Sequence, residues 1–260
     1  MTALALHAEI AGAGSPVVIL HGLFGAGRNW QSVAKALAAR HRVFTVDLRN
    51  HGQSPHAAAM DYRVMAADVA ALLARHDLHA VTLIGHSMGG KTAMTLALTD
   101  DTRLARLVVV DIAPLAYADE HTPIIDAMLA LPLAAVRRRM DADTLLAAAI
   151  PDPDIRLFLL QNLRFDAGGA SWRLDLPAIR AAMPALTGEL PVAPEACSDK
   201  PAFFIRGGRS TRVADGAPLA SIAPHFPRAA VLTIPEAGHW PHAERPAEFL
   251  ALLEEILAGS

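Results

Sequence analysis

The chain contains a single cysteine, Cys197, in 260 residues. No intramolecular disulfide can form, so the fold must be held by its core, and a reducing, cytoplasmic compartment fits this usage. Aromatic residues supply only 5% and charged residues 19% of the sequence. Much of the remainder is alanine, a helix former rather than a membrane anchor. No stretch reaches about 18 apolar residues without a charge, so no transmembrane helix is expected. Met1 to Gly14 lacks a basic segment followed by an apolar one, and no secretory signal is expected. The net charge is −3 with both signs dispersed, which gives no electrostatic case for nucleic acid or an anionic membrane as partner. The one basic run, Arg137-Arg138-Arg139, reads as a solvated helix face. Repeats and low-complexity tails are absent. The twelve histidines show no paired ligand spacing such as H-E-x-x-H, so no metal site is expected.

What is present is an alternation of short β-rich runs with longer helical ones. Pro16 to Leu20, Arg42 to Val46, Val81 to Ile84 and Leu107 to Val110 read as buried strands. Helical spacing fills Trp30 to Ala39, Tyr62 to Arg75 with Asp61 as N-cap, and Met88 to Leu98. Such a rhythm marks βαβ units and a mostly parallel sheet flanked by helices. From Pro114 to Ser198 no comparable strand is expected, only helical segments punctuated by Pro123, Pro132, Pro151, Pro153, Pro177 and Pro184. The rhythm resumes with Ala202 to Ile205, a helix near Pro218 to Ala223, Ala230 to Ile234, and a closing helix from Pro246 to Leu257. The expected organisation is therefore an α/β core of residues 1–113 and 199–260, with residues 114–198 inserted as a helical unit after the strand ending at Asp111.

Gly85-His86-Ser87-Met88-Gly89 fits G-x-S-x-G, directly after a strand and directly before a helix. A tight strand-to-helix turn strains the backbone, and flanking glycines leave room for it. It would present the Ser87 hydroxyl at the carboxyl end of the sheet, next to a helix N-terminus that favours developing negative charge. The Gly-rich segment His21-Gly22-Leu23-Phe24-Gly25 would bring a backbone N–H to face an acyl carbonyl, complementing that of Met88. The alternative, a dinucleotide loop, lacks the G-x-G-x-x-G spacing. A serine needs a base. His239, in the loop after the last strand, is the best placed of the histidines, and His242 is its local rival. His21, His51 and His86 lie at the same edge and read as loop-ordering residues. Asp111, at a strand end, is the candidate acid that would orient His239.

Together these motifs resemble the small bacterial carboxylesterase and acyl-CoA thioesterase subgroup of the α/β-hydrolases, with its mitochondrial relatives. The resemblance rests on HGLFG (His21 to Gly25), DLRNHGQS (Asp47 to Ser54), GHSMGGK (Gly85 to Lys91), DIAP (Asp111 to Pro114), Gly207 to Ser210, and Gly238 to Trp240 with His242 to Glu244. It implies an α/β-hydrolase fold and a cofactor-free serine hydrolase cleaving a small-molecule ester or thioester, as a monomer or small homo-oligomer. Leu23 and Met88 take the place of the oxyanion donors, beside His21. Ser210 stands where the wider superfamily carries its acid, so the subgroup's acid falls on Asp111 and Ser210 completes a hydrogen-bonded tetrad, with Asp215 as rival acid. The insertion looks like a cap, with Met128, Leu129, Phe158 and Trp172 as acyl-contacting candidates. Other reactions of the fold (perhydrolysis, lactone opening, C–C hydrolysis) and a non-catalytic ligand-binding module are the alternatives. An intact Ser87, Asp111 and His239 set weighs against the last.

Overall fold

A computed structural model describes residues 3–259. The first part of the chain forms β1 (Ala8–Ala11), β2 (Ser15–Leu20), α1 (Gln31–Leu37), β3 (His41–Val46), α2 (Tyr62–Arg75), β4 (Val81–His86), α3 (Met88–Thr99) and β5 (Leu104–Val110). Then come α4 (Thr122–Ala130), α5 (Arg139–Leu146), α6 (Pro153–Leu160), β6 (Leu163–Asp166), β7 (Gly169–Trp172) and α7 (Leu176–Thr187). The chain closes with β8 (Ala202–Gly207), α8 (Ala217–Ala220), β9 (Ala229–Ile234), α9 (Pro241–Glu244) and α10 (Pro246–Ala258).

Seven strands form one sheet in the order β1-β3-β2-β4-β5-β8-β9. Every pairing in it is parallel except that of β1, which runs antiparallel to β3. Side chains alternate across a strand, and here both faces are apolar. Val18, Leu20, Leu83, Leu107 and Val109 join the core beneath α2 and α3. Val17, Ile19, Ile84, Val108 and Val110 join a second core with Trp30, Val33, Phe249 and Leu253 from the α1 and α10 side. Continuous aliphatic runs are what such double burial requires. Residues of α4, α6 and α7 belong to the same cluster as the α2–α3 face, so the insertion packs on one side of the sheet.

The insertion is not free of strands. Leu163–Asp166 and Gly169–Trp172 pair as an antiparallel hairpin joined by Ala167-Gly168. The two-residue, Gly-bearing connection is a hairpin signal, but both strands are short and mostly solvent-facing, so no hydrophobic run marked them. Three of the prolines expected to interrupt the insertion instead start its helices: Pro123, Pro153 and Pro177 occupy first-turn positions of α4, α6 and α7, where the missing N–H has no partner to lose. Pro184 is tolerated inside α7. Strand β1 was not marked either, because three of its four residues are exposed. The helix expected from Trp30 begins as a 3-10 turn, Gly27–Trp30, and becomes α-helical at Gln31. No helix among the described residues is long and apolar enough to cross a membrane.

The loop after β3 is held from within. Arg49 donates through Nε to Asp68 at 2.7 Å and through Nη2 at 2.8 Å, with both side chains at most 4% exposed. Further bonds tie Arg49 to the Ala59 carbonyl and Leu4 N–H to Asp68. Removing one partner of such a pair strands a buried charge. Asp68→Ala is therefore expected to cost about 3–5 kcal/mol of stability, measured by chemical denaturation, while Arg49→Met paired with Asp68→Leu should recover much of it.

Candidate active site

Ser87 sits between β4 and α3 with φ 52° and ψ −117°, outside the comfortable regions for a side-chain-bearing residue. Strain of this sort, of order 1–3 kcal/mol, persists only where the surroundings impose it. They do so here: a Cβ on Gly85 would overlap the Gly89 carbonyl, so the turn closes tightly only with glycine. Ladder bonds continue past the strand ends. Ser87 N–H donates to the Val110 carbonyl at 3.0 Å, and Asp111 N–H to the Ile205 carbonyl at 2.9 Å. The β4–β5 register pairs His86 with Val110, so the next residues, Ser87 and Asp111, emerge side by side at the carboxyl edge, where ligands of open α/β sheets bind.

His239, from the loop after β9, bridges them. Its Nδ1 donates to Asp111 Oδ2 at 2.8 Å, and its Nε2 lies 3.2 Å from Ser87 Oγ, as acceptor for the serine hydroxyl. Asp111 is fully buried. Its Oδ1 accepts the Gly207 N–H at 2.9 Å, and Oδ2 also accepts the Ser210 hydroxyl. The carboxylate is thus fixed by three donors from two segments, Gly207 and Ser210 at the end of β8 and His239 after β9, and Ser210 stands beside Asp111 rather than Ser87. Asp215 is elsewhere: its carboxylate pairs with Arg206 at 2.9 Å and is 84% exposed.

The rival base His242 is also removed from the chemistry. Its ring stacks on Trp30 at 4.0 Å, and burial lowers its pKa from 6.5 to about 3. His86 Nε2–H donates to the His239 carbonyl at 2.8 Å and so holds the loop carrying the base. His21 is buried and lines neither cavity at Ser87; its expected place beside the substrate is not where the structure puts it. Its Nδ1–H donates to the Gly22 carbonyl at 2.8 Å and its Nε2 accepts the Leu48 N–H at 3.0 Å, so both ring nitrogens are spent ordering loops. His51 does the same, donating to the Arg49 carbonyl and accepting the Phe24 N–H.

The Leu23 N–H lies in a turn closed by Gly25 N–H to Gly22 carbonyl at 2.9 Å, with Phe24 at φ 62°. Met88 opens α3, so its N–H has no acceptor inside the helix. Asn162, which no sequence signal singled out, is wholly buried and donates to the Phe24 carbonyl at 2.7 Å. The insertion thereby pins the turn that carries Leu23.

Two cavities meet at Leu23, Ser87 and His121. The inner one, of about 40 Å³, adds Met88, Lys91, Tyr62, Tyr117, Leu186 and others. The other, of about 80 Å³, adds Phe24, Ile124, Phe158, Leu159, His239 and Trp240. It adjoins a wider outer cleft through Ile155, Phe158 and Trp240. Of the insertion residues expected near the substrate, only Phe158 lines these spaces. Met128 is sealed in the core and Leu129 is exposed. Trp172 does not reach the site: it lies in β7, donates its indole N–H to the Met128 carbonyl at 3.3 Å, and lines a separate cleft with Gln53, His56 and Arg173.

The histidines around the site carry a pH signature. Burial lowers His21 to about 4 and His51 to about 3, and His86 falls well below its ordinary value. Unfolding lets each return to 6.5, so the unfolded chain binds more protons below that pH. The stability of neutral, buried rings is complete above about pH 6.5 and is lost as pH falls toward 3–4. Thermal melts between pH 7 and 4 should therefore show falling stability, with a shallower slope in His51→Gln.

A model of the α/β-hydrolase fold family matches residues 15–246. The chain is 40% identical to the mouse (Mus musculus) sn-1-specific diacylglycerol lipase ABHD11, over 93% of this chain and 80% of the mouse protein. It is 35% identical to the Escherichia coli esterase YbfF, over 94% of this chain and 93% of that protein. A solved structure described as a marine microorganism esterase superposes with a TM-score of 0.92 at 34% identity, covering 97% of this chain and 99% of the other. With its sheet order, its strained serine turn and this likeness along nearly its whole length, the chain belongs to the α/β-hydrolase fold family.

Proposed function

We propose that this protein hydrolyses small-molecule carboxylic esters by two-step acyl transfer through Ser87. The observation that carries the reading is the unbroken chain of hydrogen bonds Asp111–His239–Ser87, ending where two cavities meet. Ser87 Oγ attacks the acyl carbonyl and its proton passes to His239 Nε2. Asp111 holds the Nδ1–H tautomer and stabilises the imidazolium. The N–H groups of Leu23 and Met88 stabilise the oxyanion. His239 then protonates the departing alcohol, and a water activated by the same imidazole releases the acid.

The two cavities take different halves of the substrate. The leaving group must lie toward the proton that His239 returns, which assigns it to the side lined by His239 and Trp240. The acyl group then occupies the inner cavity under Met88. On the leaving-group side the outer cleft is lined by Asp152, Asp154 and Glu244, with no lysine or arginine among its lining residues and with His242 neutral. Carboxylates there oppose a polyphosphate leaving group such as coenzyme A, so an ester of an uncharged alcohol is favoured over an acyl-CoA thioester. Residues 114–198 act as the substrate-facing cap, supplying His121, Phe158 and Leu186 to the cavity walls.

A fluorophosphonate probe should label wild-type protein at Ser87, and Ser87→Ala should remain folded, escape labelling, and lose ester hydrolysis by several orders of magnitude. Retention of activity within about tenfold of wild type would remove Ser87 from its assigned role.

The acid is tested by rank order. Asp111→Asn should lower turnover roughly 10³–10⁴-fold through the wrong imidazole tautomer, Asp215→Asn should be mild, and Ser210→Ala should fall between them. Measured under one ester assay with melting temperatures as the folding control, a severe Asp215→Asn beside a near-normal Asp111→Asn would reverse the assignment.

A further inference from the structure

Lys91 is a lysine in an unusual place. Its backbone N–H donates to the Ser87 carbonyl at 3.0 Å, so it stands one helical turn along α3 from Ser87. The residue is 1% exposed, yet its side chain lines the inner cavity together with Ser87. A buried ammonium is costly unless something compensates its charge. Here the Gly188 carbonyl accepts one N–H at 2.6 Å, and the rings of Tyr62 and Tyr117 lie 5.5 and 5.2 Å from Nζ. Among the described residues no carboxylate pairs with it, and Glu189 acts on it only through space. The flanking hydroxyls are committed elsewhere: Tyr62 donates to the Leu186 carbonyl, and Tyr117 donates to the Arg212 carbonyl while accepting the Ala113 N–H.

Resting on the ester-hydrolase reading above, the geometry points to Lys91 as the recognition group for a carboxylate at the far end of a short acyl chain, making hemiesters of small dicarboxylic acids the substrate class. The cavity of about 40 Å³ compares with the roughly 10–15 Å³ that one water needs on this measure. Because bonded atoms overlap, that is room for a carboxylate and one or two methylenes beyond the carbonyl on Ser87. A hydrocarbon end would seal the ammonium against apolar atoms. A carboxylate end would supply the counter-charge that the fold omits, in a charge-assisted hydrogen bond strengthened by burial. The Gly188 contact also makes Lys91 a strut between α3 and the end of the insertion. A strut alone would affect all substrates alike.

Other groups set the charge of this site. Burial, with Arg212 adding to it and Glu189 opposing it, brings Lys91 from 10.5 to about 8. Tyr62 and Tyr117 are pushed upward by burial and stay neutral, and His121, which shares the cavity wall, is pushed downward by its burial and by Arg212. The ammonium is therefore present below about pH 8 and lost above it.

The decisive comparison is between mono-4-nitrophenyl succinate and 4-nitrophenyl butyrate, whose acyl groups have equal carbon number. Wild type is expected to favour the succinate ester in kcat/KM by at least about tenfold, the worth of about one charge-assisted bond. In Lys91→Met that ratio should fall to one or below. Free succinate should also inhibit wild type competitively and more strongly than butyrate, with the advantage fading as pH rises through about 8. This second measurement stands even if Lys91→Met does not fold. A wild-type preference for butyrate, an unchanged ratio in Lys91→Met, or succinate inhibition that is flat from pH 7 to 9 would overturn the assignment of Lys91. Failure of both esters together with absent fluorophosphonate labelling would instead overturn the parent reading of Ser87.

Discussion

The site depends on the register between two neighbouring parallel strands. β4 and β5 pair so that His86 faces Val110, and the ladder is carried one step further by Ser87 N–H to Val110 and Asp111 N–H to Ile205. Ser87 and Asp111 are thus the first residues past the ends of adjacent strands, both at positive φ. That is an unfavourable backbone state for side-chain-bearing residues, and it is paid for by a sheet whose central strands are buried on both faces. A slip of one residue would exchange each strand's side chains between the two cores and carry Ser87 away from Asp111, so the packing of Val81 to Ile84 and Leu107 to Val110 holds that pair of residues in place as much as it fills the core.

Around that register the protein uses histidine as a neutral scaffold. His21 and His51 each donate to a nearby carbonyl and accept a backbone N–H from another loop. An imidazole does this only when uncharged, since both nitrogens of the cation are donors. Burial supplies the condition by disfavouring the charged form. His86 and His242 extend the same environment toward His239, His86 through its bond to the His239 carbonyl and His242 through its stack on Trp30. His239 is the one ring among these whose two nitrogens reach a carboxylate, Asp111, on one side and a hydroxyl, Ser87, on the other.

Much of this was legible in the sequence because it depends on local pattern. Strand runs, the Asp61 cap, the G-x-S-x-G turn and the strand-end aspartate are short-range signals, and the structure brings Ser87, Asp111, His239 and Ser210 into one network. What escaped is decided by orientation or by contacts distant along the chain. Trp172 is an aromatic residue in the right segment, but its strand directs it to another cleft. Asn162 acts on Phe24 across 138 positions, and nothing in its own neighbourhood announces that. The β6–β7 hairpin has four-residue strands with no run of aliphatic residues, one mostly exposed and the other half-buried, so hydrophobic periodicity had little to detect. Lys91 closes the GHSMGGK segment in the sequence without any role marked for it, and only its burial among Tyr62 and Tyr117 sets it apart.

The insertion is bound to the sheet at both of its functional ends. Asn162 holds the Phe24 carbonyl, and Arg28 and Asn29 reach back to Gln161. At the other end Tyr62 donates to the Leu186 carbonyl and Lys91 to the Gly188 carbonyl. Its apolar residues share one cluster with those of α2 and α3. Lifting it as a rigid body would break buried polar contacts at both ends and expose that cluster together, a cost shared by no single hinge. Access to Ser87 is cheaper at the rim, where Phe158 and Trp240 meet at 6.2 Å between the inner spaces and the outer cleft and Trp240 is already 37% exposed. Rotation of one aromatic side chain there would disturb none of the bonds that hold the Leu23 turn, among them Asn162 to the Phe24 carbonyl.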